Sequence, residues 1–167
     1  LQLAGPTARD NLRRMRPECF GHLVDLYTLH SPGPLQKLDS YIERRHGRQE
    51  CDGPHPALAP FVDDTYGLLI YQEQLMQAVE ELAGYNGDEA DSVRRHLPRG
   101  TAGGGRLRSS KAEAIEEQQV KFVGGCVARG MDEAEAEAVW EVFRLESVTL
   151  FNRSHAVAYA LIDYWLA

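Results

Sequence analysis

The chain has 167 residues, of which 43% are apolar and 26% are charged. This composition is typical of a globular domain, and it excludes an intrinsically disordered or collagen-like chain. No apolar run reaches the roughly 18 residues that a membrane-spanning helix needs, so we expect no membrane partner. The formal net charge of −7, taken alone, argues against a protein that binds nucleic acid.

The charge is distributed unevenly along the chain. Residues 92–112 contain no acidic side chain and six basic ones, Arg94, Arg95, Arg99, Arg106, Arg108 and Lys111. A local cationic segment on an otherwise acidic chain indicates a specific anionic partner. The three cysteines have no metal-ligand spacing and predict reduced thiols, as is usual in the cytoplasm.

Helical periodicity extends through nearly the whole chain. In the first half it predicts helices over residues 7–16, 20–30 and 35–46. The second of these ends at residues 31–34 (Ser-Pro-Gly-Pro), because each proline lacks a backbone donor and restricts φ. Residues 65–71 form the only strand-like run of the sequence, and it is short.

The second half is predicted to be helical as well. The periodicity gives helices over residues 71–83, 88–97, 110–129 and 132–145, and a last helix with Ser154 as its N-cap. Ser110 and Asp132 are each followed three residues later by a glutamate, which is the spacing of a capping box. Residues 99–110 include three consecutive glycines and predict a flexible loop. The fold class is therefore mainly α, a multi-helix domain with at most one short β element.

Two groups of residues could contact a phosphorylated ligand. Arg94 and Arg95 are adjacent, and arginine presents a planar fork of donors that matches phosphate oxygens. The alternative is that they only stabilise the C-terminus of their helix. In the Phe-Asn-Arg-Ser-His run at 151–155, backbone N–H groups could meet an anion and His155 could pack on a sugar or a ring. The alternative there is a helix cap followed by a half-buried histidine.

Residues that would carry catalysis are lacking. The sequence contains no Asp-x-Asp pair, which two-metal phosphoryl-transfer sites use to hold their ions. It also lacks a phosphate-binding P-loop, a nucleophile elbow and a zinc-protease motif. The residues alone predict a helical module that contacts phosphate, with no catalytic residue and no metal site of its own.

Several segments resemble one family when they are taken in order. They include Phe-Gly-His-Leu-Val at 20–24, Pro-Gly-Pro-Leu-Gln at 32–36, Tyr-Gln-Glu-Gln-Leu-Met-Gln at 71–77 and Phe-Asn-Arg-Ser-His-Ala at 151–156. Together they resemble the fingers domain of the bacterial DNA polymerase III α subunit, the C-family replicative polymerase. The resemblance covers residues 1–167 and implies one fingers domain of a longer polymerase.

The resemblance also implies a role for particular residues. The positions that match the family's nucleotide-binding residues are Arg94, Arg95, Phe151, Asn152, Arg153 and His155. It implies that the paired arginines contact the triphosphate of the incoming deoxynucleotide, that the histidine lies near the sugar and excludes ribonucleotides, and that residues 151–153 form the pocket wall. It implies Mg²⁺ held by a separate palm. The implied partners are primer–template DNA, dNTP, the palm and other domains, and the sliding clamp through segments outside this chain. We expect the parent protein to synthesise DNA and the isolated chain to be inactive.

The sequence departs from the family pattern at four places. His30 and Ser31 replace an aromatic residue and an arginine, and residues 96–100 and 147–150 differ from the family's Ala-Met-Gly-Lys-Lys and Ala-Gly-Tyr-Gly. Two other functions therefore stay open from the sequence. One is a non-catalytic module, derived from the same fold, that binds DNA or the clamp. The other is a purely structural helical domain.

Overall fold

The computed structural model describes residues 3, 5–98 and 109–166. These residues form nine α-helices: α1 (Pro6–Met15), α2 (Phe20–Leu29), α3 (Leu38–Arg45), α4 (Ala59–Val62), α5 (Gln72–Ala83), α6 (Gly87–His96), α7 (Ser109–Ala128), α8 (Glu133–Glu146) and α9 (Arg153–Trp165). Four short 3-10 helices join them, at Pro34–Lys37, Pro56–Leu58, Asp63–Thr65 and Ser147–Thr149. The mainly α prediction is confirmed. None of the described helices is both long and apolar enough to span a lipid bilayer.

The strand predicted at residues 65–71 is wrong. Tyr66 and Gly67 both have positive φ, 54° and 78°, so the backbone turns where an extended strand would continue. A Cβ on Gly67 would lie 2.6 Å from the carbonyl oxygen of Cys51, so glycine is required in this tight turn. Within the described part of the chain, the β element is a single isolated bridge of parallel type between Tyr71 and Phe151.

Several predicted helix ends shift by a few residues. The first helix begins at Pro6, one residue before the prediction, because proline suits the first helical position. The third predicted helix is 3-10 at Pro34–Lys37 and becomes α-helical only at Leu38. Asp132 caps α8 as predicted, but its carboxylate accepts from the N–H of Ala134 at 3.0 Å rather than from Glu135.

The predicted loop at 99–110 lies mostly outside the described residues. Its last two residues, 109 and 110, are helical because α7 already begins at Ser109. The capping box predicted at Ser110 concerns a side chain that is outside the described part of the structure.

The buried apolar side chains form two clusters. The first is built from α1, α2, α3 and α9 and includes Leu26, Tyr41 and Ile42. The second is built from α4 to α8 around Trp140 and Phe122, whose ring centroids are 5.5 Å apart. Each large side chain of this kind contributes about 1.5–3 kcal/mol through its removal from water.

The chain crosses between the two clusters at neighbouring places. An earlier crossing leads from α3 to α4. Of the two crossings that lie side by side, the first leads through Ile70 and Tyr71 into α5, and the second leads from α8 through Phe151 into α9. The N–H of Phe151 donates to the carbonyl of Ile70, and the N–H of Gln72 donates to the carbonyl of Phe151, both at 2.9 Å. The two crossings are therefore tied to each other by the backbone.

Lys37 joins the same two crossings from the side. Its ammonium donates to the Leu69 carbonyl at 2.6 Å and forms an ion pair with Glu146 at the end of α8. The lysine side chain is only 12% exposed. Nearby, the turn at Gly33 packs on the second crossing so closely that a Cβ there would lie 3.2 Å from the Cα of Thr149.

Candidate functional site

The N-cap of helix α9 lies two residues earlier than predicted. Asn152 is the N-cap instead of Ser154, because its side-chain oxygen accepts from the N–H of His155 at 2.9 Å. The Ser154 hydroxyl donates to the same oxygen at 2.7 Å, so the serine supports the cap. Both residue types are good caps, and the geometry of the preceding segment selects the asparagine.

The first N–H group of α9 is already bound. The N–H of Arg153 lies 3.0 Å from both carboxylate oxygens of Glu73 in α5. A carboxylate at a helix N-terminus is favoured by the helix dipole. Side chains of the protein itself therefore bind two of the first N–H groups of α9, those of Arg153 and His155.

His155 belongs to an exposed row of rings along α9. Its ring centroid is 5.4 Å from that of Phe151, which precedes the N-cap. It is 4.6 Å from that of Tyr159, which lies four residues on along the same helix face. Tyr27 of α2 stacks beneath Tyr159 at 5.6 Å. His155 is exposed rather than half-buried, so its ring can contact a ligand without rearrangement of the core.

Arg94 and Arg95 lie in the last turn of α6 and share one carboxylate. Arg94 donates to Asp91 through Nε at 2.7 Å and Nη2 at 2.5 Å, and Arg95 approaches the other oxygen of Asp91 at 3.2 Å. The side chain of Arg94 is 21% exposed and that of Arg95 is 60% exposed. Asp91 lies immediately before the segment that has no acidic residue. It precedes Arg94 by three residues and Arg95 by four, and this helical spacing is a signal of ion pairing that the sequence analysis missed.

Gln72 links Arg94 to the segment before α9. Its side-chain oxygen accepts from Nη1 of Arg94 at 3.1 Å, and its side-chain nitrogen donates to the Leu150 carbonyl at 3.4 Å. The start of α5 thus brings Arg94 together with the beginning of α9. Arg95 remains on the solvent side of α6. Polar residues at the start of a helix with an apolar stripe usually face solvent, whereas Gln72 and Glu73 are half-buried in contacts.

A buried polar group lies beneath Arg153. The guanidinium carbon of Arg153 is 5.1 Å from the ring centroid of Tyr71, a cation–π contact. The Tyr71 hydroxyl donates to one oxygen of Asp25 at 2.5 Å, and the Tyr41 hydroxyl donates to the other at 2.6 Å. Burial raises the pKa of Asp25, while the two hydroxyl donors and the charge of Arg153 oppose that rise. Burial and the nearby carboxyl also raise the pKa values of both tyrosines.

Two departures from the family pattern lie close together. Ser31 is 7% exposed and precedes the turn that contains Gly33. Gly33 packs against Thr149, which belongs to the departing segment at 147–150. The other end of that segment, Leu150, accepts the hydrogen bond from Gln72. A serine at this buried place supplies no positive charge, so Ser31 cannot replace an arginine in binding phosphate.

Two concavities of the described residues lie away from the residues predicted to bind nucleotide. One concavity is lined by Leu82, Cys126 and Arg129, and another by Phe20 and Tyr164; neither is lined by a residue predicted to bind nucleotide. Among the described residues, no three His, Cys, Asp or Glu side chains come together in a way that could hold a metal ion. The described residues therefore do not fit a Mg²⁺ site, and no chemical step is assigned to a metal here.

Comparison with known proteins gives the family. The model of the bacterial DNA polymerase III alpha subunit finger domain matches residues 1–130. The chain belongs to this family. The DNA polymerase III subunits alpha of Aquifex aeolicus (strain VF5), Halalkalibacterium halodurans and Escherichia coli (strain K12) are 34%, 35% and 34% identical to it over 168, 166 and 175 residues. Each alignment covers 99% of this chain and 14% of the relative.

The chain therefore corresponds to a fingers domain and spans 14% of the length of these relatives. The family match ends before α8 and α9, whereas the alignments with whole subunits cover 99% of the chain. The residues at 151–155 thus lie within the region of similarity to the polymerase subunits.

The buried carboxyl predicts how the stability of the chain depends on pH. Because the folded protein holds the Asp25 proton more tightly than the unfolded chain, the group stabilises the fold most below its ordinary pKa of 3.8. Its contribution declines as the pH rises toward the folded-state pKa. In Asp25→Asn this decline should be absent. Urea unfolding from about pH 4 to neutrality measures it, with the exposed Asp10→Asn as a control that keeps the decline. Parallel curves for wild type and Asp25→Asn would contradict the prediction.

Proposed function

We propose that the chain is the fingers domain of a DNA-directed DNA polymerase, in which it binds the incoming deoxynucleoside triphosphate and positions it opposite the template. The observation that supports this most strongly is the contact of Arg94 with Gln72, which brings the guanidinium to the side of the molecule where α9 begins. Family membership supplies the general class, and this contact supports the specific role.

The arginines suit the phosphate end of such a ligand. A triphosphate carries several negative charges, and guanidinium groups aimed at it stabilise the charge that grows on the pyrophosphate as it leaves. Asp91 holds both guanidinium groups side by side at one turn of α6. In this proposal Arg94 and Arg95 contact the phosphate oxygens, and the more exposed Arg95 reaches further into solvent.

The start of α9 suits the nucleoside end. Phe151, Asn152 and Arg153 form the wall, and the exposed ring of His155 lies beside the sugar. A ring placed against the 2′ position excludes a ribonucleotide sterically, because the extra hydroxyl has no space and no partner. The row of rings that supports His155 from both sides gives it the rigidity that such exclusion requires.

The rest of the reaction belongs to the parent protein. We assign residues 1–167 to a single fingers domain, and we place Mg²⁺ and its aspartate ligands in a palm outside this chain. The partners in this proposal are primer–template DNA, dNTP, the palm and neighbouring domains, and the sliding clamp, in the cytoplasm. This chain's own residues bind and orient the nucleotide.

The isolated chain should not synthesise DNA, because its sequence contains no Asp-x-Asp pair of the kind that holds two metal ions in such enzymes. Primer extension with the purified 167-residue chain, a matched primer–template, dNTPs and Mg²⁺ measures this. Metal-dependent extension above that of a no-protein control would contradict it. Tight, salt-dependent duplex binding that nucleotide does not change would instead favour the non-catalytic DNA-binding module.

Replacement of the arginines in the full polymerase subunit should weaken nucleotide binding. For Arg94→Ala and Arg95→Ala we expect KM for dNTP to rise roughly tenfold or more and kcat to fall, since each loses a charge-assisted contact. Steady-state primer extension with varied dNTP measures both constants. Arg13→Ala, which removes an exposed arginine of α1, is the control and should behave as wild type. An unchanged kcat/KM in both variants would remove the pair from the site.

Removal of the imidazole should relax sugar selection. For His155→Ala in the full subunit we expect the ratio of ribonucleotide to deoxynucleotide kcat/KM to rise roughly tenfold, in keeping with the loss of one steric contact. Competition assays with ATP and dATP on one template position measure the ratio. Tyr164→Ala, an exposed aromatic residue of the same helix, is the matched control. A ratio equal to that of the control would show that His155 does not face the sugar.

A further inference from the structure

We propose that Gln72 is a positioning residue: it orients the Arg94 guanidinium toward the nucleotide phosphates and ties it to the segment that begins α9. The inference rests on the proposed function, because it names the residue that joins the two halves of that site. Gln72 itself does not contact the nucleotide in this proposal and acts through Arg94.

The contacts of Gln72 reach two separate elements. Its backbone N–H donates to the Phe151 carbonyl at 2.9 Å. Its side-chain nitrogen donates to the Leu150 carbonyl at 3.4 Å, and its side-chain oxygen accepts from Arg94 at 3.1 Å. A side-chain amide carries a donor and an acceptor at the same time, whereas a carboxylate or an ammonium carries only one of these. The amide of Gln72 therefore satisfies both partners at once, which neither a glutamate nor a lysine could do.

Hydrogen bonds fix the backbone that precedes Gln72. The side-chain oxygen of Gln74 accepts from the N–H groups of Ile70 and Tyr71, each at 2.9 Å, and its nitrogen donates to Thr65 at 2.7 Å. Gln74 is 5% exposed. Because the backbone before α5 is held in this way, the position of the Gln72 amide follows from the fold.

The hydrogen bonds of Arg94 show which of its N–H groups remain available to a ligand. A guanidinium has five N–H donors, one on Nε and two on each Nη. In the described structure, one on Nε and one on Nη2 point to Asp91, and one on Nη1 points to Gln72. One N–H on each Nη remains for a ligand. With the guanidinium held from two sides, these two donors are preorganised for phosphate oxygens, so less conformational entropy is lost on binding.

The test replaces Gln72 in the full polymerase subunit by a side chain of similar length without hydrogen-bonding groups. For Gln72→Met we expect KM for dNTP to rise roughly fivefold to tenfold, in line with a lost hydrogen bond to a charged group. The affinity for primer–template DNA without nucleotide and the unfolding temperature should stay close to wild type. The matched control is Gln77→Met on the same helix, because Gln77 is exposed and bonds only to Glu81 of its own helix.

A double-mutant cycle separates positioning from general damage. If Gln72 acts through Arg94, then Gln72→Met should change KM less than about twofold when it is added to Arg94→Ala, and by its full factor when it is added to Arg95→Ala. A full multiplicative effect in both backgrounds would overturn the inference. So would a loss of activity that merely follows the fraction of folded protein, since this would indicate a purely structural role.

The outcomes also separate the inference from the function on which it rests. If Arg94→Ala raises KM for dNTP but Gln72→Met does not, the proposed function survives and the positioning role is refuted. If neither Arg94→Ala nor Arg95→Ala changes the use of dNTP, the proposed function itself fails, and the role of Gln72 fails with it.

Discussion

The hydrogen bonds between the two neighbouring chain crossings, Phe151 with Ile70 and Gln72, tie the start of α5 to the start of α9. Each crossing passes between the two apolar clusters, so a displacement of one cluster relative to the other would have to break them. Lys37 reinforces this point by binding the Leu69 carbonyl in one crossing and Glu146 beside the other. Helices α5 and α9 both begin where the two crossings are hydrogen-bonded. These bonds therefore help to set the relative positions of the residues of the candidate site.

Local signals predict most of the helices and some of their starts. Prolines, capping residues and apolar spacing place the helices within a few residues, because these effects act over one or two turns. The strand at 65–71 fails because the positive φ angles of Tyr66 and Gly67 come from a turn that packs on a distant carbonyl. The choice of Asn152 over Ser154 as the cap likewise depends on the segment before it, which the cap preference alone does not encode.

For the candidate site, the sequence proposes which residues take part but does not predict how they are arranged. The resemblance names Arg94, Arg95 and residues 151–155, while the contacts that arrange them come from Gln72 and Glu73, which are separated from α9 by about 80 residues. No spacing rule within one element reveals contacts over that distance. Asp91 is different, since it lies on the same helix as the arginines and helical spacing alone would have shown it.

The carboxylate of Asp91 gives the twin arginines a permanent counterion built into the same turn of helix. Any anion that binds to these guanidinium groups must share them with the fixed negative charge of Asp91. A univalent ion gains little by doing so, because the field it meets is already partly cancelled. A polyvalent ion still gains, because each added charge interacts with both arginines. The resident carboxylate thus weakens the attraction of this surface for every anion, and the attraction that remains increases with the charge of the ligand.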